Sequence, residues 1–369
     1  MKNIFANTII TLISILLCFG IFEGISRVIL HGSLSFQRYT VNEGKFYRHD
    51  PTVGWAYIPN TYGRFFSKAA GYNVHVTFDK HGIRNNANEF ENDLKNSPAI
   101  LIVGDSFTAG LEVDDNKTYS AQLEKLLFES NCKYRVYNAG VRGYGTDQSY
   151  WNLLRLSEIL KPAVTIYMFT ANDIADNRTI KRIRKKFSKP AYGLKDGSLE
   201  LVKPEKDALK RSYYAYLKNS ETSGYEVVSG QSREFVINLG FFIKENFSAY
   251  EFLSPIYNRT FGKRVELESE NSGNIDADII VFRLLLDRMN SVSSQFFLTE
   301  FGYPGDTPTL TDLLDFERDD SIRYIDVRSY FTPPYPQYHW GGDFHWNEHG
   351  HKTVATALFD GLREQICVN

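Results

Sequence analysis

The clearest pattern in the chain is a series of short apolar runs separated by amphipathic stretches. Residues 99–103 (AILIV) are continuously apolar, and residues 164–169 (VTIYMF) are apolar except for Thr165. Such runs are typical of strands buried on both faces of a parallel sheet. Stretches with helical periodicity lie between these runs, at residues 118–129 and 147–160. This alternation predicts an α/β domain in which helices cover both faces of a parallel sheet.

The same periodicities predict further elements on either side of this region. The additional strands are at residues 72–78, 134–137, 294–298 and 324–327, and the additional helices at 277–289 and 350–367. The pattern breaks at about residues 175–275, which we interpret as a large insertion, partly helical near 208–217 and 235–247. Its basic run KRIRKK, at 181–186, fits either a solvated helix face or contact with an anionic polymer or lipid headgroups.

The first thirty residues differ in character from the rest. Residues 4–22 carry no charge, and these nineteen residues approach the roughly 20 that a helix needs to cross a bilayer. A signal peptide normally has a shorter apolar region and a clear cleavage site, so the sequence favours an uncleaved anchor. The predicted organisation is a transmembrane anchor at 1–30, a lead-in segment at 31–95 and an α/β domain at 96–369. A short tail inside and the domain outside the cytoplasm is the simplest arrangement.

Composition narrows the functional classes. Of the 369 residues 43% are hydrophobic, and the formal net charge of -2 gives no general attraction to nucleic acid, so no nucleic-acid partner is expected. Cys18 lies inside the apolar run, while Cys132 and Cys367 belong to the remainder of the chain. Whether these two cysteines form a disulfide is left open by the sequence. Their spacing does not indicate a zinc site.

Ser106 is the first candidate for chemistry because it directly follows the first buried strand, in GDSFT. Ligands of open parallel sheets bind beyond the carboxyl ends of the strands. A serine becomes an effective nucleophile only with a base within hydrogen-bonding distance. The alternative is an ordinary strand-to-helix turn. The stretch lacks the Gly-x-Ser-x-Gly pattern of α/β-hydrolases, which disfavours that family.

The candidate base is His345, with Asp343 two residues before it to orient the imidazole. An alternative is a polar loop in which Asn347 or His349 caps the following helix. A metal site built from Asp343, His345, His349 and His351 is a further alternative, although these residues lack the His-Glu-x-x-His order.

Two more strand ends supply candidates for stabilising an oxyanion. NAGVRGYG follows the second strand and offers backbone N–H groups, and TAND follows the third and offers the side-chain amide of Asn172. Tight turns are the alternative explanation, since glycine and asparagine are common in them. Phosphate binding is less favoured, because the glycines depart from the order of the dinucleotide fingerprint.

Taken together, these stretches resemble the SGNH (GDSL-like) hydrolase superfamily, whose name gives four residues in this order. The matching stretches are GDSFTAG, NAGVRGYG, TAND and DFHWNEHG, and the resemblance covers roughly residues 70–365. It implies a three-layer, flavodoxin-like fold with a five-stranded parallel sheet, and a serine esterase that needs no cofactor and no metal.

By position, the resemblance gives each site residue a role. Ser106 is the nucleophile and first oxyanion donor, Gly143 and Asn172 complete the oxyanion hole, and His345 with Asp343 completes the triad. The expected substrate is an acyl ester, above all an acetyl ester, on a small molecule or on cell-surface or secreted carbohydrate. The expected membrane contact is through the N-terminal helix.

Two departures from the family pattern keep other functions open. In the TAND stretch, Thr170 stands where the family pattern has a glycine. The acid Asp343 lies two residues before His345, whereas the family pattern has three. This Asp-x-His-Trp spacing resembles SGNH-like acetyltransferases that modify bacterial exopolysaccharides, so O-acyl transfer to a polysaccharide is an alternative. A non-catalytic envelope or carbohydrate-binding protein on the same fold is another.

Overall fold

The computed structural model describes most of the chain in nine stretches. These are residues 2–31, 38–41, 46–50, 52–67, 70–178, 189–202, 275–306, 309–314 and 322–367. The chain divides into two compact units, and the second unit comprises residues 40–212 and 269–369. The helical segments expected near 208–217 and 235–247, and the basic run at 181–186, lie outside the described residues.

The described stretches form eight α-helices and fourteen strands, together with short 3-10 helices. The helices are α1 (Lys2–His31), α2 (Ser106–Ala109), α3 (Tyr119–Glu129), α4 (Thr146–Leu160), α5 (Asn172–Arg178), α6 (Ile275–Ser291), α7 (Leu310–Leu313) and α8 (Glu348–Ile366). The strands are β1 (Arg38–Val41), β2 (Tyr47–Asp50), β3 (Gly54–Tyr57), β4 (Thr61–Ser67), β5 (Tyr72–Thr77), β6 (Ala99–Gly104), β7 (Arg135–Asn138), β8 (Val164–Phe169), β9 (Ala191–Lys195), β10 (Ser198–Val202), β11 (Phe296–Glu300), β12 (Arg323–Tyr324), β13 (His339–Trp340) and β14 (Asp343–Trp346).

Five of the described strands form a parallel sheet in the order β12-β11-β8-β6-β7. Numbered by their order along the chain, these strands lie in the order 2-1-3-4-5 when read from β7, which is the flavodoxin-like order. β6 and β8 are buried at every position, as their apolar runs predict. One hydrophobic cluster joins the sheet to α3 and α8, and a second joins it to α4 and α6. The predicted three-layer fold is therefore confirmed.

The predicted element bounds hold to within a few residues, with one larger difference. The strand expected at 324–327 is only Arg323–Tyr324. The chain turns after it because the carboxylate of Asp326 accepts hydrogen bonds from the backbone N–H groups of Arg328 and Ser329. In the predicted insertion, the described residues form the end of α5 and an antiparallel hairpin of β9 and β10.

The lead-in segment contains an antiparallel hairpin of β4 and β5, and the strand predicted at 72–78 is present as β5. A buried arginine ties this segment to the α/β domain. Arg84 donates from Nε to Asp115 Oδ1 at 2.6 Å and from its two terminal nitrogens to the carbonyls of Gly110 and Val113. Asp115 in turn accepts from the backbone N–H of Thr77 at 3.0 Å. The hairpin and the loop after α2 are thus fixed to each other.

The N-terminal helix α1 contains a 20-residue stretch, Asn7–Ser26, with a mean hydropathy of 2.2. That stretch is long and apolar enough to cross a bilayer, and a signal sequence would have the same properties.

A disulfide joins Cys132 and Cys367, which are 235 residues apart in sequence and have Cα atoms 5.4 Å apart. The bond links the loop after α3 to the end of α8, and these two helices pack in the same hydrophobic cluster. The question that the sequence leaves open is therefore answered. Among the described residues, Cys18 is the free cysteine.

The buried arginine gives the first prediction. Arg84→Met removes the cation from a buried pair and leaves Asp115 without it, so we expect a loss of about 3–5 kcal/mol in the free energy of unfolding. The matched control is Arg64→Met, in β4 of the same lead-in segment, whose guanidinium bonds Asn73 at the surface; its effect should stay within about 0.5 kcal/mol. Urea titration of the full chain in detergent measures both. Equal losses in the two variants would contradict the role given to Arg84.

Candidate active site

Ser106 is the first residue of α2 and directly follows the carboxyl end of β6. Asp105 caps the helix by accepting from the N–H of Phe107 at 2.9 Å, and its second oxygen lies 3.4 Å from Ser106 Oγ. The turn needs a glycine before it: a Cβ on Gly104 would lie 2.4 Å from Thr108 Oγ1 and 2.9 Å from a backbone carbonyl. The half-buried Ser106 hydroxyl therefore stands at the sheet edge where ligands bind in this fold.

Asp343 and His345 belong to β14, the second strand of a short hairpin with β13. Asp343 Oδ1 lies 2.6 Å from His345 Nδ1 and 3.0 Å from the backbone nitrogen of His345. Residues two apart in a strand share a face, which is why this two-residue spacing brings the carboxylate to the imidazole. Burial alone would raise the pKa of Asp343, but the hydrogen bonds from His345 outweigh burial and hold that pKa well below its usual range.

The structure brings the strand of His345 into contact with the helix of Ser106. The ring of Phe107, the residue after the serine, lies 5.1 Å from the imidazole of His345 and 5.0 Å from the indole of Trp346, centroid to centroid. His345 Nε2 is buried and has no hydrogen-bond partner among the described residues. Nε2 therefore makes no hydrogen bond to Ser106 Oγ in this structure. Such bonds between a nucleophile and its base are often long without substrate and tighten when substrate binds, so Ser106 and His345 can still act as nucleophile and base.

Gly143 lies in the loop after β7, the strand next to β6. It is buried and has φ of +81°, a left-handed conformation that favours glycine. The neighbouring Arg142 is held on both sides by the lead-in segment: its N–H donates to the Tyr57 hydroxyl at 3.3 Å, and its carbonyl accepts from Trp55 Nε1 at 3.2 Å. The backbone beside Gly143 is therefore fixed by residues outside the predicted α/β domain.

Asn172 begins α5 at the carboxyl end of β8 and is exposed. Its amide donates to Asp176 Oδ2 at 2.8 Å, and an amide nitrogen has two hydrogens, so one remains for a ligand. The turn before it is anchored by buried Asp173, which accepts from the N–H of Thr170 at 3.1 Å and from the Tyr167 hydroxyl at 2.6 Å. Burial raises the pKa of Asp173 well above its usual value. Thr170, at the position where the SGNH resemblance leads one to expect glycine, leaves this turn intact.

Three further residues reach the site without having been predicted. The Tyr72 hydroxyl, from β5, donates to Asp343 Oδ2 at 3.1 Å. Glu112, fully buried in the loop after α2, is paired with Arg142, and its Oε1 lies 3.5 Å from His345 Nδ1. In the sequence, the available signal is that Glu112 stands as a charge between the apolar residues Leu111 and Val113, in GLEVD. Such a charge, once buried, requires a partner. Nothing in the sequence identifies that partner.

The histidines after β14 do not gather into the metal site considered above. His351 is buried and its Nδ1 accepts from the backbone N–H of Tyr119 at 3.2 Å, and burial lowers its pKa to about 3. Asn347 caps α8, as its alternative role predicts, by accepting from the N–H of His349. In the described part of the chain, the ligand atoms close enough to share a metal ion are those of Glu112, Asp343 and His345.

Comparison with known proteins identifies one stretch clearly. Residues 102–212 match the GDSL-like Lipase/Acylhydrolase family. Esterase TesA of Pseudomonas aeruginosa is 38% identical over 77 residues, which is 20% of this chain and 37% of TesA. The match thus spans little more than a third of that relative.

Solved structures resemble the chain only distantly. A family 3 carbohydrate esterase of Clostridium thermocellum is 11% identical, with 71% of this chain and 94% of that one covered and a TM-score of 0.37. A catalytic mutant of an acetylxylan esterase from Geobacillus stearothermophilus is 12% identical, with 72% and 94% covered and a TM-score of 0.38. Values this low carry no argument about function.

The hydrogen bond between Asp343 and His345 gives the second prediction. An ionised carboxylate only accepts, so His345 Nδ1 must carry the hydrogen and Nε2 must be the free acceptor in the neutral ring. Histidine-selective ¹⁵N NMR, assigned with His345→Gln, should show this tautomer in the wild type. In Asp343→Asn the other tautomer should gain population. An Nε2–H tautomer in the wild type would contradict the geometry.

Proposed function

We propose that this chain, whose residues 102–212 match the GDSL-like Lipase/Acylhydrolase family, is a serine esterase. The observation that carries the proposal is the hydrogen-bonded pair of half-buried Asp343 and buried His345, with the imidazole packed against the helix that Ser106 begins. A serine at a helix start, a histidine beside it and a carboxylate behind the histidine are the parts that nucleophilic acyl transfer requires.

In the first step, Ser106 Oγ attacks the ester carbonyl carbon and His345 Nε2 takes the hydroxyl proton. Asp343 keeps Nδ1 protonated and stabilises the imidazolium that forms. The imidazolium then returns the proton to the leaving alcohol, which departs as the acyl-enzyme forms. The buried Nε2 suits this role, since it has no other hydrogen-bond partner among the described residues.

The tetrahedral intermediate carries negative charge on the former carbonyl oxygen. The candidate donors are the N–H of Ser106, the N–H of Gly143 and the side-chain amide of Asn172, which follow three adjacent strands of the sheet. In the second step, His345 takes a proton from water, the resulting hydroxide attacks the acyl carbon, and Ser106 leaves with a proton from the imidazolium. The chemistry derived for these residues uses no cofactor or metal.

We further propose that the protein is a single-pass membrane protein with its α/β domain outside the cytoplasm. The long apolar helix α1 supports the anchor. The disulfide between Cys132 and Cys367 supports the orientation, because disulfides persist in oxidising compartments and are rare in the cytosol. Acylated carbohydrate of the cell surface is the substrate class that this location favours. Phe344, 67% exposed beside His345, offers an apolar surface to a sugar ring or an acyl chain.

A second candidate reaction is transfer of the acyl group to a sugar hydroxyl. The observation that favours it is the Asp343-Phe344-His345-Trp346 arrangement, which keeps on one strand the two-residue spacing seen in polysaccharide acetyltransferases. Incubation with acetylated glycans, with and without added sugar acceptors, separates the candidates. Free acetate alone indicates hydrolysis, and acetylated acceptor indicates transfer. A protein that binds the glycan but yields neither product is the non-catalytic alternative.

The third prediction tests the nucleophile. Ser106→Ala should abolish hydrolysis of short acyl esters and covalent labelling by a fluorophosphonate, because both require the Ser106 hydroxyl. The matched control is Ser130→Ala, at the end of α3, which should keep both activities. Labelling stoichiometry is measured by intact-protein mass spectrometry. Labelling of Ser106→Ala to the wild-type extent would refute the assignment.

A further inference from the structure

Glu112 occupies an unusual position for a charged residue. It lies in the loop that follows α2, two residues beyond the left-handed Gly110, and its side chain is fully buried. Both neighbours, Leu111 and Val113, are also fully buried. A buried carboxylate is costly unless charged or hydrogen-bonding groups compensate it, so its contacts reveal what the position is used for.

Those contacts connect Glu112 to two parts of the proposed site. Its Oε1 accepts from Arg142 Nη1 and also lies 3.5 Å from Nδ1 of His345. Asp343 Oδ1 lies 2.6 Å from the same nitrogen. The second oxygen of Glu112 is buried and has no hydrogen-bond partner among the described residues. Two carboxylates therefore face one imidazole nitrogen, and within the described stretches Glu112 is the one of the two that also pairs with a cation other than the histidine.

Arg142 connects this pair to the loop of Gly143. Its backbone is fixed by Tyr57 and Trp55, and its guanidinium lies over the ring of Phe65, 5.6 Å from the centroid. The side chain reaches from that fixed backbone to Glu112. The ion pair of Arg142 and Glu112 thus connects the Gly143 loop to His345.

We propose that Glu112 is a positioning residue, a second acid that acts on His345 together with Asp343. Through Arg142 it also fixes the position of His345 relative to the Gly143 loop. The inference rests on the proposed function. In this role Glu112 touches neither substrate nor the reacting atoms. Its charge stabilises the imidazolium that forms when His345 takes the proton of Ser106, and Arg142 moderates that charge and keeps it in place.

The expected pH dependence follows from the charges around His345. The charged and titratable groups that face it are Asp343 from its own strand, Glu112, Arg142, Tyr72 from β5, His339 from β13 and His351 from α8. The side of α2 that packs on the imidazole presents the uncharged ring of Phe107. Removing the charge of Glu112 destabilises the imidazolium, so the ring loses its proton at lower pH.

The test is the pH profile of kcat/KM for the isosteric variant Glu112→Gln, measured with the full chain on a short acyl ester. We expect the acid limb to move to lower pH by about one unit, which is a tenfold change in the proton equilibrium of His345. The plateau should fall roughly tenfold, because a weaker base takes the proton of Ser106 less readily. Glu112→Asp keeps the charge and should return the acid limb towards the wild-type position. A lower plateau with an unmoved limb would reduce Glu112 to a structural role and overturn the proposal.

Glu124→Gln is the matched control, since Glu124 is also a fully buried glutamate but bonds Asn88 and the backbone of Val136. Its pH profile should coincide with that of the wild type. If Glu112→Gln does not fold, the double variant Glu112→Gln/Arg142→Met leaves no unpaired cation. It should still shift the limb downwards, by less than the single variant, because the lost anion was 3.5 Å from Nδ1 and the lost cation reached the histidine only through that anion. A double variant with the wild-type limb would also overturn the proposal.

A second readout separates this proposal from the proposed function. Histidine-selective NMR follows the protonation midpoint of His345 directly and needs no substrate. If the wild type hydrolyses no ester but the midpoint falls in Glu112→Gln, the esterase function fails while the electrostatic role of Glu112 stands. If esters are hydrolysed and the midpoint is unchanged, the esterase stands and the role of Glu112 fails.

Discussion

The hydrogen bonds of the buried Arg84 guanidinium hold together the segments that form the site. A fully buried arginine must find acceptors for its five N–H donors, and here the acceptors are Asp115 and the carbonyls of the loop that leaves α2. That loop carries Glu112. The backbone of Arg84 also pairs with the carbonyl of Asn138, at the end of β7. One residue therefore fixes the exit of the helix that Ser106 begins and the start of the loop that leads to Gly143.

The lead-in segment, to which Arg84 belongs, contributes contacts to the site. Its residues hold both sides of Arg142, and Tyr72 bonds the carboxylate that faces His345. Burial and the nearby carboxylates Glu112 and Asp343 raise the pKa of Tyr72, so its hydroxyl stays a donor. The consequence is that the geometry of the histidine depends on a hairpin more than 250 residues earlier in the chain, since Tyr72 and Asp343 are 271 residues apart.

The sequence predicts the parts of this molecule that depend on local pattern. Apolar runs mark β6 and β8 because strands buried on both faces need apolar side chains at nearly every position. Ser106 and Asn172 were recognisable because the ends of parallel strands meet at one sheet edge. Asp343 was recognisable as a partner of His345 from its position two residues away, but the sequence did not predict β14, the strand whose alternating side chains place both residues on one face.

What the sequence did not predict depends on contacts between distant segments. Glu112 reads as a single charge in an apolar run, and its partner Arg142 lies thirty residues away in a glycine-rich loop. The pairing of Cys132 with Cys367 across 235 residues is likewise set by the packing of α3 on α8. The strand expected at 324–327 was too long because the pattern does not show the turn that Asp326 makes. Local pattern specifies elements and candidate residues, while tertiary contacts decide which residues act together.

The proposed esterase chemistry requires an oxyanion at Ser106 to lie between the ends of β6, β7 and β8, with His345 beside it. A crystal structure of the fluorophosphonate adduct tests this most directly, because the phosphonyl group resembles the tetrahedral intermediate. We expect a bond from phosphorus to Ser106 Oγ. A phosphonyl oxygen should lie about 2.7–3.1 Å from the N–H groups of Ser106 and Gly143 and from the amide of Asn172. His345 Nε2 should face the serine oxygen. An adduct on another residue, or a phosphonyl oxygen that points away from Gly143 and Asn172, would contradict it.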